Sequence, residues 1–511
     1  MTILIGIDIG TTNWKVGAFD STGRLIHFKK MPAVIKDYKN VGSLYDPDIL
    51  WGSVETLLRQ VVNKCSKNTI AGVSVSSMAE SVVPVDKNSN PIFPIIPWFD
   101  NRARAEARLL VERIGKKRLF QITGLDSNPI FSINKILWFK HHYPDIFKKA
   151  VVWLQMADFI YMKLTGVWVT DPTLACRTLA YDIYKNDWSL EILEVLGLPK
   201  RIFPPVLVSG TIIGHVDNEV SGNTGLPVGT PIVVGGNDHS CATISSGVLL
   251  GKKILDSSGT AESFLYITHR DDKLNQTYRG QRVCSYLDSK RYVIWGGIIA
   301  SGASIDWGFN RLVSSIDWNI PQEKYSYDKV MDAISDLPPG ANGLIFLPHL
   351  RGSGAPYWDP RGRGAFLGLC SKHTCKDMMK AILEGLSYQA RMIIEMEEAV
   401  AGHNSEALCV VGGGSKSRLW QQIKADVIGK LIELPDINEA SALGAALIAG
   451  VGIGIYKTID DAAKSINHET FVIEPNQENN NIYSEYYELY KNANQRLAKI
   501  NSRLDNITKN G

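Results

Sequence analysis

A short pattern that occurs once in each half of the chain constrains the fold most strongly. The first copy, residues 3–20, passes from an apolar strand through Asp8 into the turn Gly10-Thr11-Thr12 and then into a second strand. The second copy, residues 254–267, repeats this order around Gly259-Thr260. Two related strand–turn–strand units, almost half a chain apart, predict two similar domains that hold a nucleotide between them.

Each turn has the chemistry of a phosphate-binding site. Gly10 allows the backbone to bend tightly and to approach a ligand closely, and the amides and hydroxyls of Thr11 and Thr12 can donate to phosphate oxygens. Asp8 is placed to hold a hydrated Mg²⁺, which prefers one or two carboxylates together with water and phosphate. Lys15 could add a point charge. The alternative is an ordinary hairpin with a polar turn, and the second copy favours the phosphate-binding interpretation.

The composition argues against several classes of protein. With 511 residues, of which 45% are hydrophobic and 21% charged, the chain is typical of a globular protein with more than one core. A net charge of +3 without a basic stripe predicts no nucleic-acid partner. The longest apolar run, residues 442–456, is shorter than the roughly 20 residues of a membrane span. With no signal peptide expected, the sequence predicts a soluble, cytoplasmic protein.

The cysteines predict neither disulfides nor a zinc site. The chain has seven, an odd number at irregular spacings, which is typical of reduced, buried thiols. Cys370 and Cys375, with His373 between them, form a close pair but lack a second pair of ligands. We therefore expect no bound zinc.

Hydrophobic periodicity predicts alternating strands and helices, and hence an α/β fold in each half. Strands are predicted at 3–9, 14–20, 24–31, 70–75, 82–85, 231–236, 343–348 and 407–411. Helices are predicted at 46–65, 103–114, 134–142, 187–196, 298–307, 324–336, 376–400, 415–431 and 440–450. A strand entering a helix is predicted at 149–165, a second meander at 253–294, a crossover at 242–250, and a closing helix after Gln477.

Four further motifs carry a resemblance to a known family. Phe131-Ser132 followed by residues 135–139, Gly364–Leu369 followed by Asp377, Ala381 and Glu384, Pro356–Pro360, and Glu439–Ala446 are similar to blocks of the FGGY carbohydrate kinases. The resemblance extends from Asp8 to about Tyr456. It departs at Ile130, where glycerol kinases carry a tyrosine.

The resemblance implies a two-domain α/β protein with the duplicated actin-like ATPase (ribonuclease H-like) fold and an active site in the interdomain cleft. Residues 1–245 would bind the sugar and supply the catalytic base and one phosphate turn. Residues 246–511 would bind ATP and end in the closing helix.

Phosphoryl transfer to an alcohol needs a general base, a metal on the phosphates and donors that stabilise charge. Asp238 follows the predicted strand 231–236, and its spacing is compatible either with a base in the cleft or with a helix cap. The resemblance implies that Asp238 is the base and that Asp8 and Asp238 hold Mg²⁺. It also implies the ATP-binding residues, which are Thr11, Thr12, Lys15, Gly259, Thr260, Gly302, Gly413 and Gly414. No Gly-Lys-Ser/Thr follows at the spacing of a Walker A loop.

The sugar-binding residues are expected mainly in the N-terminal half. They are Ala79, Glu80, Trp98, Ile130, Asp238 and His239. Residues 78–81, Met-Ala-Glu-Ser, occupy the place of Gln-Arg-Glu-Thr in glycerol kinases and of Gln-Met-His-Gly in xylulokinases. Glu80 could accept hydrogen bonds from vicinal hydroxyls, or it could be a solvated carboxylate in a turn.

Other candidates near the sugar have equally open interpretations. Trp98 could lie against the carbon chain or belong to the core. Asp100 and Arg102 could pair with each other or reach the substrate. Glu262 and Ser263 lie where relatives have a specificity residue, and His239 has no evident carboxylate partner.

The resulting hypothesis is an ATP- and Mg²⁺-dependent kinase that transfers the γ-phosphate to a hydroxyl of a small ketose or polyol. A pentulose such as xylulose is the first candidate, followed by glycerol, erythritol and gluconate, and a homodimer is one expected assembly. The alternative from another class is a non-catalytic actin-like sugar sensor or an ATP-driven interaction module. The presence of both Asp8 and Asp238 favours catalysis.

Overall fold

The first strand pattern forms an antiparallel hairpin in which Asp8 lies opposite Lys15 and Ile9 opposite Trp14. The structure, a computed structural model, describes residues 2–39, 41–65, 69–270, 274, 280–313, 326–466 and 468–509. Its main elements are two mixed sheets, one in each half of the chain.

The first half of the chain forms twelve strands and ten α-helices within the described residues. The strands are β1 (Ile3–Ile9), β2 (Asn13–Asp20), β3 (Leu25–Pro32), β4 (Ile35–Tyr38), β5 (Gly42–Tyr45), β6 (Ile70–Ser77), β7 (Val82–Val85), β8 (Val152–Gln155), β9 (Tyr181–Asp182), β10 (Asp187–Trp188), β11 (Ile212–His215) and β12 (Pro231–Asn237). The helices are α1 (Pro47–Val62), α2 (Arg104–Ile114), α3 (Lys116–Thr123), α4 (Ser132–His142), α5 (Pro144–Lys149), α6 (Met156–Thr165), α7 (Pro172–Ala175), α8 (Leu190–Leu196), α9 (Asn218–Thr224) and α10 (Asp238–Ser245).

The N-terminal sheet places two acidic positions at one edge. Its strand order is β11-β12-β6-β1-β2-β3, and β6 runs parallel to both β1 and β12. Asp8 lies opposite Ser76, and Asn237 lies opposite Ser77. Because the carboxyl ends of parallel strands meet at the same edge of a sheet, Asp8 and Asp238 flank the end of β6.

The second half repeats this plan in its own sheet. The strands are β13 (Lys253–Ser258), β14 (Glu262–His269), β15 (Val283–Ser285), β16 (Arg291–Ile298), β17 (Ile345–Leu347), β18 (Ala365–Leu367), β19 (Ala407–Gly412), β20 (Leu431–Pro435) and β21 (Thr470–Ile473). The helices are α11 (Gly302–Gly308), α12 (Tyr327–Ser335), α13 (Cys375–Ala401), α14 (Arg418–Ile428), α15 (Ala440–Gly452), α16 (Ile459–Lys464) and α17 (Gln477–Lys509). The sheet order is β15-β16-β14-β13-β19-β20-β21, so the hairpin β13–β14 corresponds to β1–β2.

Helix α15, from the second half, packs against the N-terminal sheet. It lies on β1, β6 and β12 and against α10. The approach is so close that a Cβ on Gly6 would lie 1.8 Å from Ala442 O, and one on Gly444 would lie 1.9 Å from Cys241 O. The two halves therefore share part of their packing.

The structure confirms the two-domain α/β fold and most predicted elements, with three main differences. Residues 187–188, predicted as the start of a helix, form a short strand. Residues 291–298 form strand β16, and the helix predicted from residue 298 begins only at residue 302. Helix α10 begins at Asp238, before the crossover predicted at 242–250. The hairpin β4–β5 and helix α3 were not predicted. Part of the predicted helix 324–336 lies outside the described residues, and α12 covers the rest.

The described part of the chain also bears on the predictions made from composition. None of its helices combines the length and the apolar character that crossing a bilayer requires. The seven cysteines are free. No group of three or more His, Cys, Asp or Glu side chains suited to a metal occurs among the described residues.

A buried ion cluster supports the second copy of the repeated motif. Lys424, on α14, is fully buried and contacts Asp256 and Glu262, each at 2.6 Å. Glu262 also accepts a hydrogen bond from Ser301 Oγ at 2.7 Å. Burial, and then the charge of Glu262, raise the pKa of Asp256 well above its usual range. Lys424 is therefore the cation that keeps this acidic pair in the core.

We predict that Lys424→Met lowers the free energy of unfolding by about 3–5 kcal/mol, because removing one partner of a buried ion cluster leaves uncompensated charge. Urea denaturation at pH 7 measures this change. Lys200→Met is the matched control, since its pair with Asp187 is 45% and 56% exposed and should contribute about 0–1 kcal/mol. Equal losses in the two variants would contradict the assigned role of the cluster.

Candidate active site

Asp238 is the first residue of α10, and a neighbour caps the helix in its place. Asn237 Oδ1 accepts a hydrogen bond from the backbone N–H of Ser240, which argues against the interpretation of Asp238 as the cap. The Asp238 carboxylate accepts hydrogen bonds from Asn237 Nδ2 at 2.9 Å and from the backbone N–H of His239 at 2.8 Å, both to Oδ1. These contacts hold Oδ1 in place.

The strand that precedes Asp238, β12, is held by a buried polar network. The backbone N–H of Asn237 donates to Thr173 Oγ1 at 2.7 Å, and Thr173 Oγ1 donates to the carboxylate of Asp171. The backbone N–H of Gly235 donates to the hydroxyl of Tyr161 at 2.7 Å. A Cβ on Gly235 would lie 2.1 Å from Val75 O, so the first residue of the diglycine is required by the neighbouring strand.

Asp8 is buried close to other acidic groups. Its Oδ1 accepts a hydrogen bond from Ser76 Oγ at 3.1 Å, and Lys15 Nζ lies 3.4 Å from its Oδ2 and 2.7 Å from Glu439 Oε2. Burial raises the pKa of Asp8 to about 6; Lys15 opposes this rise, and the charges of Asp238 and Glu439 add to it. Asp8 and Asp238 are thus near enough to interact.

This cluster has the donors that Mg²⁺ prefers. Asp8 and Asp238 provide two carboxylates, and Lys15 forms ion pairs with Asp8 and with Glu439. Burial and then the charges of Asp238 and Glu439 raise the pKa of Asp8, and a divalent cation would stabilise its charged form. Since Mg²⁺ is typically bound by one or two carboxylates, phosphate oxygens and water, the residues present fit this ion.

The first turn and the predicted sugar site are joined by a hydrogen bond. Trp98 Nε1 donates to Thr11 Oγ1 at 2.9 Å, and Tyr45 OH donates to the carbonyl of Thr11 at 3.2 Å. The hydroxyl of Thr11 is therefore already engaged within the protein, whereas Thr12 is exposed. Gly10 closes the turn with a hydrogen bond from its N–H to Asn13 O at 3.1 Å.

The second turn packs directly on the start of α11. The N–H of Gly302 donates to Gly259 O at 3.1 Å, and that of Ser301 donates to Thr260 O at 3.1 Å. A Cβ on Gly302 would lie 2.6 Å from Gly259 O. The close approach of the two backbones therefore explains this glycine, while Gly259 and Thr260 themselves remain exposed.

The glycines after β19 lie beside the second turn. Gly412 is opposite Ser258, and a short 3₁₀ turn, Gly413–Lys416, leads into α14. A Cβ on Gly414 would lie 2.1 Å from Ser258 Oγ, so packing requires the missing side chain there. A Cβ on Gly413 would point into open space. Of the two predicted nucleotide contacts, Gly413 is the one whose surroundings leave room for a ligand.

Glu80 is a buried carboxylate, which excludes the interpretation as a solvated turn residue. It is 4% exposed, and its Oε1 accepts a hydrogen bond from Arg177 Nε at 2.6 Å and contacts Arg177 Nη2. Its backbone N–H donates to Gln155 Oε1 at 2.8 Å, and its carbonyl accepts from Lys135 Nζ at 2.9 Å. Sequence reasoning missed Arg177, because no local pattern links residues 97 positions apart.

His239 and Ser263 meet across the two halves of the chain. His239 Nε2 lies 3.5 Å from Ser263 Oγ, and its ring contacts Trp295 edge-on with centroids 5.6 Å apart. Successive side chains of a strand point to opposite faces, so Glu262 points away from this region and into the cluster with Lys424. The suggestion that Glu262 contacts the substrate is wrong.

The remaining candidates have mainly structural contacts. Asp100 and Arg102 pair with each other through two hydrogen bonds, at 2.9 Å and 2.7 Å. Ala79 is buried, and Ile130 is half-buried against the core. A cavity lined by Arg177, Asn237, Ser240, Cys284 and Trp295 lies beside the strand end that carries Asp238.

Comparison with known proteins identifies the family of the chain. The N-terminal domain of the FGGY family of carbohydrate kinases matches residues 3–245, and the C-terminal domain of that family matches residues 256–453. The chain is 28% identical over 523 residues to a xylulose kinase of Staphylococcus epidermidis, covering 99% of both chains. It is also 28% identical over 509 residues to a glycerol kinase of Aquifex aeolicus, covering 98% and 99%.

Among solved structures, the ligand-bound xylulose kinase of Lactobacillus acidophilus superposes with a TM-score of 0.89 at 23% identity, covering 99% of this chain and all of that one. Both family domains together span most of the sequence and occur in the expected order. The chain therefore belongs to the FGGY family of carbohydrate kinases and is a phosphotransferase with an alcohol group as acceptor.

Proposed function

We propose that this kinase transfers the γ-phosphate of ATP to a hydroxyl of a short, linear polyhydroxy compound. The observation that carries the proposal is the meeting of Asp8 and Asp238 at the end of β6, with the turn at residues 10–12 beside them. The names of the most similar relatives favour a pentulose such as xylulose. Glycerol, erythritol and gluconate are the other candidates, and they differ from xylulose in chain length or charge.

In the proposed reaction, Asp238 accepts the proton of the attacking hydroxyl. The hydroxyl oxygen forms the new bond to the γ-phosphorus, the bond from that phosphorus to ADP breaks, and ADP leaves. When bound, Mg²⁺ would be held by Asp8 and Asp238 and would neutralise charge on the phosphates. The exposed turn at Gly259-Thr260 and the open space at Gly413 would receive the rest of the nucleotide, and Glu80 would accept hydrogen bonds from acceptor hydroxyls.

We expect Asp238→Asn to reduce acceptor-dependent ADP formation by about 10²- to 10⁴-fold, the usual contribution of a general base. Asparagine retains the size of the side chain but cannot take the proton. A coupled ADP assay measures the rate, and ATP binding, measured by calorimetry, should persist. The control is Asp145→Asn, an exposed residue of α5, and near-normal turnover of Asp238→Asn would refute the assignment of the base.

We expect Asp8→Asn to raise the Mg²⁺ concentration for half-maximal rate by about tenfold or more. The reason is that one of the two carboxylates proposed to hold the ion is lost. Titration of the rate with MgCl₂ at saturating ATP measures the effect. Asp145→Asn should again titrate as the parent protein does, and an unchanged Mg²⁺ requirement in Asp8→Asn would remove this residue from the metal site.

A further inference from the structure

Two buried arginines lie next to the proposed acceptor site, and within the described residues they have one carboxylate partner between them. Arg177 is 3% exposed and Arg282 is 4% exposed. Arg177 is paired with Glu80. Within the described residues, Arg282 has no carboxylate at ion-pair distance and its buried Nε has no hydrogen-bond partner, and the Nη1 of Arg177 likewise has none. Buried guanidinium nitrogens are normally hydrogen-bonded, since leaving one unpaired is costly.

The two guanidinium groups are neighbours. Both lie near the ring of Phe131, with Arg177 Cζ 5.2 Å and Arg282 Cζ 5.7 Å from its centroid. Burial, and then the charge of Arg177, lower the pKa of Arg282 to about 9, so the guanidinium is still protonated at pH 7. Glu80, Cys284 and Asp126 oppose this change without cancelling it. Within the described residues, the two guanidinium groups therefore have one carboxylate, that of Glu80, at ion-pair distance.

Aromatic rings hold both groups in place. Arg177 Cζ lies 3.8 Å from the ring centroid of Trp295, and Arg282 Cζ lies 3.4 Å from that of Trp358. The Nε1 of Trp358 donates to Gly280 O at 2.9 Å, which fixes the ring. Stacking of this kind orients a guanidinium while leaving its N–H groups available in the plane.

A continuous set of contacts connects this pair to Asp238. Trp295 contacts both Arg177 and His239, and His239 follows Asp238 in the chain. Arg177 and Asn237 line the same cavity. On the other side, Trp358 lies beside Gly297, which is opposite Ser263 in the sheet. Arg177 therefore lies close to the strand end that precedes the proposed base, and Arg282 is connected to this region through Phe131 and Arg177.

We propose that Arg177 and Arg282 bind a carboxylate of the acceptor, so that this kinase prefers polyhydroxy acids (aldonates) to neutral ketoses and polyols. A planar carboxylate can accept two parallel hydrogen bonds from a guanidinium, and it would supply the negative charge that Glu80 alone does not. The inference rests on the proposed function, because it concerns the acceptor of the same phosphoryl transfer. It selects the acidic candidate among the acceptors named above.

The test compares acceptors that differ at one end only. D-Gluconate is matched with D-glucitol, and D-xylonate with xylitol, while D-xylulose represents the neutral ketoses. In the coupled ADP assay we expect kcat/KM of the unmodified protein for at least one aldonate to exceed that for its alditol and for D-xylulose by more than about tenfold. A higher kcat/KM for the neutral compounds would overturn the inference.

The second part of the test is Arg282→Met, which keeps much of the apolar stem and removes the charge. We expect kcat/KM for the preferred aldonate to fall on the order of 100-fold and that for its alditol to change little. Arg201→Met, at an exposed position, makes the same change in net charge and should alter neither. An equal loss on both acceptors would assign Arg282 a structural role and overturn the inference.

Two further measurements test the role of the Arg282 charge and the kind of anion that is bound. Arg282→Lys retains the charge without the planar fork, and it should retain more aldonate activity than Arg282→Met if the charge binds substrate. If neither variant folds, the comparison of acceptors with the unmodified protein still tests whether aldonates are preferred. D-Glucitol 6-phosphate, used as an inhibitor, tests whether Arg177 and Arg282 bind a phosphate group instead of a carboxylate. Stronger inhibition by it than by the non-preferred aldonate would overturn the carboxylate assignment.

The outcomes also separate this inference from the proposed function. ADP formation with neutral acceptors but not with aldonates would leave the kinase proposal intact and overturn the carboxylate site. No acceptor-dependent ADP formation with aldonates, alditols, D-xylulose or glycerol would contradict the proposed function itself.

Discussion

The parallel pairing of β1, β6 and β12 is the constraint on which the active site depends. Each of these strands ends at the same edge of the N-terminal sheet, so residues far apart in the sequence meet there. Asp8 lies near the end of β1, and Asp238 follows the end of β12, so the two residues lie on either side of β6. Polar residues beneath them, including Ser76 and Thr173, satisfy the backbone and carboxylate groups that the sheet buries. Neither carboxylate needs a flexible loop to reach the other.

The acidic residues of the two copies of the repeated motif lie in different surroundings. In the first, Asp8 shares Lys15 with Glu439, and burial raises its pKa, with the charges of Asp238 and Glu439 adding to the rise. In the second, Asp256 forms an ion pair with Lys424, and both side chains are fully buried. In both copies burial raises the pKa of the acidic residue, but Lys424 is fully buried whereas Lys15 is partly exposed. A shared sequence pattern thus places one acidic residue beside Asp238 at the candidate site and the other in an ion cluster of the core.

Sequence reasoning reached the fold, the repeated turns and the acidic pair because these depend on local patterns and on a family resemblance. It failed where the answer depends on three-dimensional neighbours. Glu262 and Ser263 are adjacent in the sequence, yet their side chains lie on opposite faces of the strand. Glu262 therefore contacts Lys424 in the core, whereas Ser263 lies near His239. The partnership of Glu80 with Arg177 has no sequence signal at all. A Cβ on Gly302 would collide with a neighbouring backbone, and one on Gly414 would collide with a neighbouring side chain. Only the structure reveals these contacts.

Helix α15 has a consequence for how the protein is made. It covers β1, β6 and β12, yet it is the third helix from the end of the chain, and Gly6 and Gly444 allow it to approach more closely than any side chain would permit. A ribosome must therefore translate residues up to about 452 before the first sheet can be covered on this face. Until then, a nascent chain exposes apolar strand surface, which is the kind of surface that favours aggregation.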